Sequence, residues 1–314
     1  MKKVSRANTY FLIIILLQLF LPVQLIFRWF NITDSKLMLL ISHVITFILP
    51  AIIYLIITKQ SIKDALKLNK LYFKDALLII LLAFVCQPIM TFFSLISQFF
   101  FENEIGNFVT EIVASPYIIL LLLIAVLPAI TEEITIRGVV LSGYEDKNIY
   151  LAASITGLLF GIMHLDPQQF LYAAVLGFVL ALVVRITNSI FASALIHFLI
   201  NGTSITLQKL LSLIQDNALV MEQASEVSIR NLAISEKIFM AIFYGLIALA
   251  FGVAAYFIIR KLAELNIRRG IISRDELSIK YSKSNERVFN IQFIAIIIVY
   301  LLYMMAGIII RYLL

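Results

Sequence analysis

The sequence has little charge, few glycines and prolines, and a single cysteine. Charged residues make up 14% of its 314 residues and hydrophobic residues 62%, whereas soluble domains are about 25% charged. A soluble chain of this length could not bury so much apolar surface, which excludes a cytosolic enzyme and a disordered protein. With Cys86 alone, an intramolecular disulfide is excluded. The composition leaves an integral membrane protein that crosses the bilayer several times.

Apolar segments of about 20 residues are long enough to cross the hydrocarbon layer as helices. One longer stretch is divided by Asp166-Pro167 into two shorter segments. We therefore predict an all-α, polytopic transmembrane bundle of about eight or nine spans around a buried polar cavity. The first span starts with basic residues but lacks a cleavage site, so we interpret it as an uncleaved anchor. The predicted spans are 8–30, 37–58, 76–100, 116–142, 150–165, 168–184, 188–211, 237–259 and 291–312.

Basic residues flank these spans on one side of an alternating topology. The cytoplasmic side of membrane proteins is rich in Lys and Arg, so we expect a cytoplasmic amino terminus and an external carboxyl terminus. The Ile-, Leu- and Lys-rich composition suggests an AT-rich bacterial genome, so we expect a bacterial cell membrane. We take the net charge of +6 as loop charge of this kind and expect membrane lipid, not nucleic acid, as a partner. The basic set is Lys2, Lys3, Arg6, Lys59, Lys63, Lys67, Lys70, Lys74, Arg185, Arg260, Lys261, Arg268 and Arg269; the opposite loops carry Asp34, Glu102, Glu104, Glu111, Asp216, Glu222 and Glu226.

Two polar stretches separate spans on the basic side. Segment 60–74 mixes leucines with lysines, and fits either a basic amphipathic helix on the inner leaflet or a solvated connector. Segment 261–289 is interpreted as a cytoplasmic loop. We divide the chain into amino-terminal helices with a basic loop (1–114), a helical core (115–211) and a carboxyl-terminal extension with two spans (212–314).

Ionisable side chains at membrane depth are costly and mark functional sites by default. Glu133 and Arg137 stand at i and i+4, in the favourable order for an ion pair on one helix face. Glu132 points about 100° away and is left free to face something else. The alternative is an ordinary salt bridge at a helix end near the interface.

Two further pairs share a helix face, namely Phe160 with His164 and His197 with Asn201. The depth of a residue in the membrane can be counted from the cytoplasmic end of its span at about 1.5 Å per residue. By this count, roughly one layer in the cytoplasmic half of the membrane contains Glu132, His164 and His197. Ring packing and an interhelical hydrogen bond are the structural alternatives. His43 has no polar neighbour at helical spacing, and we interpret it as a packing or hydrogen-bonded histidine.

The three motifs together resemble the CAAX protease and bacteriocin-processing family of intramembrane endopeptidases, also called Abi proteins. The family pattern is EExxxR, then FxxxH, then HxxxN or HxxxD. This chain has Glu132-Glu133-Ile134-Thr135-Ile136-Arg137, then Phe160 to His164, then His197 to Asn201. The resemblance covers about residues 115–205. The family includes the type II CAAX prenyl endopeptidases.

The resemblance implies a peptide hydrolase in which Glu132 and His164 activate a water, while His197 and Asn201 stabilise the oxyanion. Glu133, Arg137 and Phe160 would support these groups. No cofactor is expected, and the alternative is a zinc ion on Glu132, His164 and His197. The expected substrate is a membrane-associated peptide or protein.

Two other functions stay open on the sequence. A non-catalytic membrane modulator would act in bacteriocin self-immunity or by binding a sensor kinase or a peptide partner. A small-solute transporter would use Glu132 and Arg137 as an ion relay.

Overall fold

The computed structural model describes residues 2–215, 229–278 and 281–313, so the predicted external residues Asp216, Glu222 and Glu226 lie outside it. The described chain is helical and contains no strand, which confirms the all-α prediction. The helices are α1 (Lys3–Phe20), α2 (Val23–Trp29), α3 (Ser35–Thr58), α4 (Phe73–Gln98), α5 (Glu104–Ile112), α6 (Tyr117–Val140), α7 (Ile149–Met163), α8 (Pro167–Thr187), α9 (Ile190–Gln215), α10 (Ile234–Arg268) and α11 (Ile291–Leu313).

Seven of these helices, α1, α3, α4, α6, α8, α9 and α10, are long and apolar enough to cross a membrane. The two shorter apolar helices, α7 and α11, stand at the remaining predicted spans. The polytopic bundle is therefore present, with helices at all nine expected positions. Helix α3 begins where Asp34 accepts hydrogen bonds from the backbone N–H groups of Lys36 and Leu37. The hydrogen bond from Leu37 contributes most to lowering the pKa of that exposed carboxyl.

The prediction of one continuous helix over 8–30 was wrong. Helix α1 ends at Phe20, and Leu21 is extended, with φ −71° and ψ 120°. Pro22 explains the break, because it lacks a backbone N–H and keeps the preceding residue out of helical geometry. The chain resumes as α2, whose final Trp29 is exposed.

The amphipathic-helix interpretation of 60–74 was also wrong. Only Ile62–Ala65 forms a helical turn, and the backbone then turns away at Lys67 with φ 51°. The connector packs against the turn between α8 and α9, where the Lys67 carbonyl accepts from Ile190 N and the Asn69 carbonyl from the Ser189 hydroxyl. The segment contacts protein here rather than lipid or water, so it is a packed connector.

The predicted loop 261–289 begins too early, because α10 continues to Arg268. Leu262 and Asn266 are buried, so this end of the helix is held by packing and by polar contacts. The side chain of Asn266 donates to Asp75 on α4 over 3.2 Å, and Arg269 donates to the same carboxylate over 2.6 Å.

Close packing of α7 on α8 fixes the part of the bundle that carries two site residues. A Cβ atom on Gly157 would lie 2.7 Å from the Ala174 carbonyl oxygen, and one on Gly161 would lie 2.6 Å from the Phe170 carbonyl oxygen. Only glycine permits backbones to approach this closely. The contact holds Phe160 and the end of α7 firmly against α8.

Basic residues from distant parts of the chain meet around the turn after α6. Lys3 pairs with Asp146 at 2.9 Å, Lys67 pairs with Glu145, and Arg185 donates to the Tyr144 carbonyl at 3.1 Å. The carboxyl-terminal extension covers the same turn, where Lys147 donates to the Ser284 carbonyl over 2.8 Å. Basic residues from four parts of the chain therefore hold this turn in place.

Candidate active site

A cavity of about 1010 Å³ lies between the helices and is lined by residues of α1 to α10. The structure brings the four side chains with sequence-predicted catalytic roles to its wall, namely Glu132, His164, His197 and Asn201. Phe160 also lines the cavity, whereas Glu133 and Arg137 lie behind the wall.

Glu133 lies in a buried group of polar side chains. One of its carboxylate oxygens, Oε1, accepts from Arg137 Nη1 and from His197 Nδ1, each at 2.9 Å. The side chains of Glu133 and Arg137 are 1% and 0% exposed. The predicted pairing at i and i+4 is therefore present, and it lies in the protein interior rather than at an interface. The same carboxylate fixes the ring of His197 and leaves its Nε2 atom for the cavity.

Glu132 differs from its neighbour in what it faces. Its Oε2 atom lies 3.9 Å from His197 Nε2, which is beyond hydrogen-bonding distance, and its side chain lines the cavity. The side chain is 12% exposed, and that exposure is toward the cavity space. A carboxylate in such a position can accept a proton from a water molecule in the cavity.

His164 has a defined ring orientation. Its Nδ1 atom lies 2.8 Å from the Phe160 carbonyl oxygen. A carbonyl can only accept, so Nδ1 carries a proton, and a neutral ring with this tautomer has its lone pair on Nε2. The Phe160 ring packs edge-on against both histidine rings, with centroid distances of 4.9 Å to His164 and 5.8 Å to His197. The Arg137 guanidinium stacks over the same ring at 4.1 Å. Phe160 therefore connects the three motifs.

Asn201 is held at a point where a backbone hydrogen bond of α6 is missing. Pro128 has no N–H to donate to the Ile124 carbonyl, four residues earlier, and Asn201 Nδ2 donates to that carbonyl over 3.1 Å. The amide has a second N–H, which this contact does not use. Helix α6 also widens into π-helical turns at Leu121–Val126 and Ile134–Val140, on either side of Glu132. Such turns are frequent at functional sites.

Sequence reasoning missed that His43 lies on the cavity wall. It is buried on α3, and its Nδ1 atom lies 2.8 Å from the Thr131 hydroxyl. That hydroxyl donates its proton to the Leu127 carbonyl, so it accepts from His43. The expectation of a hydrogen-bonded histidine is met, but the bond joins His43 to the residue before Glu132. No spacing in the sequence could show this contact between two distant helices.

Within the ranges that the structure describes, no group of three or more His, Cys, Asp and Glu side chains is arranged to hold a metal ion. Glu132, His164 and His197 all lie in those ranges. The geometry therefore offers separate hydrogen-bonding groups around a cavity.

The fold and the site together define a class: a polytopic membrane protein with a cavity between its helices, whose wall carries a carboxylate and histidines. Residues 114–203 match the family model described as type II CAAX prenyl endopeptidase Rce1-like. The comparisons with curated proteins and with solved structures found no match. Residues 114 to 203, which are 90 of the 314 residues, are thus similar to the Rce1-like domain, and this similarity supports an assignment to the CAAX protease family.

Proposed function

We propose that this protein is an intramembrane endopeptidase that hydrolyses a peptide bond of a membrane-associated peptide or protein. The observation that carries the proposal is that two adjacent carboxylates have different surroundings. Glu133 is occupied by Arg137 and His197, and Glu132 faces the cavity without an ionic partner at hydrogen-bonding distance.

In the proposed reaction, Glu132 acts as the general base. A water held between Glu132 and His164 Nε2 gives one proton to the carboxylate, and its oxygen attacks the carbonyl carbon of the substrate. The carbonyl oxygen takes the electron pair and becomes an oxyanion. Glu132 then returns the proton to the amide nitrogen as the C–N bond breaks, which yields a carboxylic acid and an amine.

His197 and Asn201 are proposed to stabilise the oxyanion. Asn201 has an uncommitted N–H, and both side chains line the cavity one helical turn apart. The Nδ1 proton of His197 is used by Glu133, so its Nε2 can donate only when the ring is protonated. Glu133 Oε1, 2.9 Å from Nδ1, would pair with that charge. Oxyanion donors of this kind lower barriers by about 3–4 kcal/mol each.

The proposed mechanism uses no metal. It needs only a general base and a water within hydrogen-bonding reach of it. Treatment of the purified protein with a chelator should leave its activity unchanged. Loss of activity that zinc restores would instead assign Glu132, His164 and His197 to a zinc site.

We further propose a bacterial cell-membrane protein with a cytoplasmic amino terminus. The basic end of the bundle would then be cytoplasmic, and the cavity would open at the opposite end, where its exposed wall residues Gln24 and Ile105 lie. The native Cys86 is buried, so new cysteines report access. In intact cells an impermeant thiol reagent should label a Gln24→Cys variant and spare a Lys70→Cys variant; the reverse pattern contradicts this orientation.

Comparative peptidomics of membranes tests the function. Membranes with wild-type protein should contain cleavage products that are missing with Glu132→Gln. The matched control is Glu264→Gln, since Glu264 forms an exposed pair with Arg260 on α10, away from the cavity. If Glu132→Gln preserves both the products and the cellular phenotype, the protein is not a Glu132-dependent peptidase, and a non-catalytic modulator becomes the better account.

A further inference from the structure

Two rows of polar side chains lead away from the proposed catalytic groups, one on α4 and one on α9. In each row the residues follow one another at steps of four, three and four, which places them on one helix face. Every member lines the cavity. The α4 row is Gln87, Thr91, Ser94 and Gln98, and the α9 row continues from His197 and Asn201 to Ser204 and Gln208.

The rows start side by side, next to the proposed oxyanion donors. The amide nitrogen of Gln87 lies 3.5 Å from the carbonyl oxygen of Ile200, the residue directly before Asn201. Helix α4 follows the connector 60–72 in the chain, and the start of α9 is bonded to the same connector, since Ile190 donates to the Lys67 carbonyl. Both helices therefore run in the same direction from this connector.

The rows end at the mouth of the cavity. Gln98 is the last residue of α4. Lys209, which follows Gln208, donates over 2.8 Å to the carbonyl of Val113, the residue that ends α5. Helix α5 also carries Ile105, an exposed residue of the cavity wall. The two rows therefore connect the catalytic groups with the open end of the cavity.

The side chains beyond His197 are accessible from the cavity. Thr91 and Ser204 are exposed, and Ser94 and the four amides are half-buried. An amide carries both donors and an acceptor, and a hydroxyl can do either. The rows can therefore bind N–H and C=O groups whichever way each amide is turned.

An unwound polypeptide is a ligand that fits such rows. Within a membrane, a backbone N–H or C=O group that leaves a helix needs another hydrogen-bonding partner. Each row supplies one at every helical turn. From Gln87 to Gln98 the α4 row is about 16 Å long, which is the length of about five residues in extended conformation.

The charge of the wall limits which side chains such a polypeptide can carry. Among the described residues that line the cavity, Glu132 is the one carboxylate, and Lys and Arg are not represented. A charged substrate side chain beside the rows, away from Glu132, would lose water without gaining an ionic partner, which is costly.

We propose that the α4 and α9 rows bind an extended, uncharged stretch of about five substrate residues between the scissile bond and the mouth of the cavity. The proposal rests on the proposed peptidase function and adds the length and the chemistry of the chain that the site accepts.

The cleavage sites found by peptidomics supply the probe. Synthetic peptides around one Glu132-dependent site would be shortened one residue at a time from either end and assayed with wild-type protein in liposomes. On one side of the scissile bond, kcat/KM should depend on about five residues and not on those beyond them. A single Lys or Glu within this run should lower kcat/KM by about tenfold or more.

Removal of the outermost polar groups gives the second readout. Gln98→Met and Gln208→Met keep the side-chain length, and each should raise KM for the longest peptide by about 2–10-fold, which is the loss of one net hydrogen bond. A peptide too short to reach the mouth should keep its KM, whereas a packing defect would affect both peptides alike. Thr203→Val is the matched control, since Thr203 is exposed on α9 outside the cavity lining.

Three results overturn the proposal. They are an unchanged KM for the longest peptide in both methionine variants, which would leave the rows as water sites, an equal rise in KM for the short and the long peptide, and a dependence on length and charge that stops at the residues joined by the scissile bond. The proposed function itself fails differently, because then no Glu132-dependent product appears at all.

Discussion

Within the part of the chain that the structure describes, two carboxylate–arginine pairs have a buried carboxylate but different surroundings. Glu133 and Arg137 are both buried beside the cavity. The Glu133 oxygen that accepts from Arg137 also accepts from His197. Asp75 is equally buried, but its partner Arg269 is 22% exposed, and the pair joins α4 to the end of α10 away from the cavity. Burial of charge alone therefore does not mark an active site. The difference lies in the second carboxylate, Glu132, and the histidines that adjoin only the first pair.

Breaking the first pair should have the largest effect. Glu133→Gln leaves the Arg137 charge uncompensated in the interior, which should lower the free energy of unfolding by about 3–5 kcal/mol. It also removes the carboxylate that fixes the His197 ring, so the cleavage rate per folded molecule should fall by about 10–100-fold. Thermal unfolding in detergent and the rate of peptide cleavage measure the two effects. A folded Glu133→Gln variant with normal activity would show that Glu133 does not support the active site.

Breaking the second pair should affect stability alone. Asp75→Asn keeps an acceptor for Asn266, and Arg269 can reach water, so the loss should be about 1–3 kcal/mol. The cleavage rate per folded molecule should stay within about twofold of wild type, since distant sites act independently. A large loss of activity with intact folding would show that the comparison between the two pairs is mistaken.

The smallest effect is expected at His43. Its replacement in His43→Phe removes one hydrogen bond, while the Thr131 hydroxyl keeps its contact with the Leu127 carbonyl. We expect a loss of about 1 kcal/mol in stability and a less than tenfold loss of activity. If the activity instead fell as far as in a Glu132 variant, His43 would be part of the chemistry, and the interpretation of it as a structural histidine would be wrong.

Much of the fold followed from the sequence because lipid restricts the choice of structure. Apolar runs of sufficient length predicted the helices, and the spacing of Glu133 and Arg137 predicted their pair. The stop of α1 at Phe20 was missed, although Pro22 was visible, because the apolar run continued beyond it. The extension of α10 to Arg268 was missed because buried partners on α4, rather than hydropathy, hold that end.

The site was predictable only as far as helical spacing reaches. Helical spacing placed pairs such as His197 and Asn201 on one helix face. The resemblance of the three motifs to one family then grouped these pairs into one site. The contact of His43 with Thr131 and the anchoring of Gln18 on the Met163 carbonyl cross between helices distant in sequence. Such contacts depend on how helices pack, which a hydrophobic pattern does not specify.

The rate of peptide cleavage by purified Glu132→Gln protein in liposomes tests the central claim most directly. The substrate would be a peptide identified in wild-type membranes, and Asp75→Asn would serve as the control for a buried carboxylate away from the cavity. We predict that Glu132→Gln folds normally and loses about 10²–10⁴-fold in rate, while the control keeps its activity. Cleavage by Glu132→Gln at the wild-type rate would contradict the account.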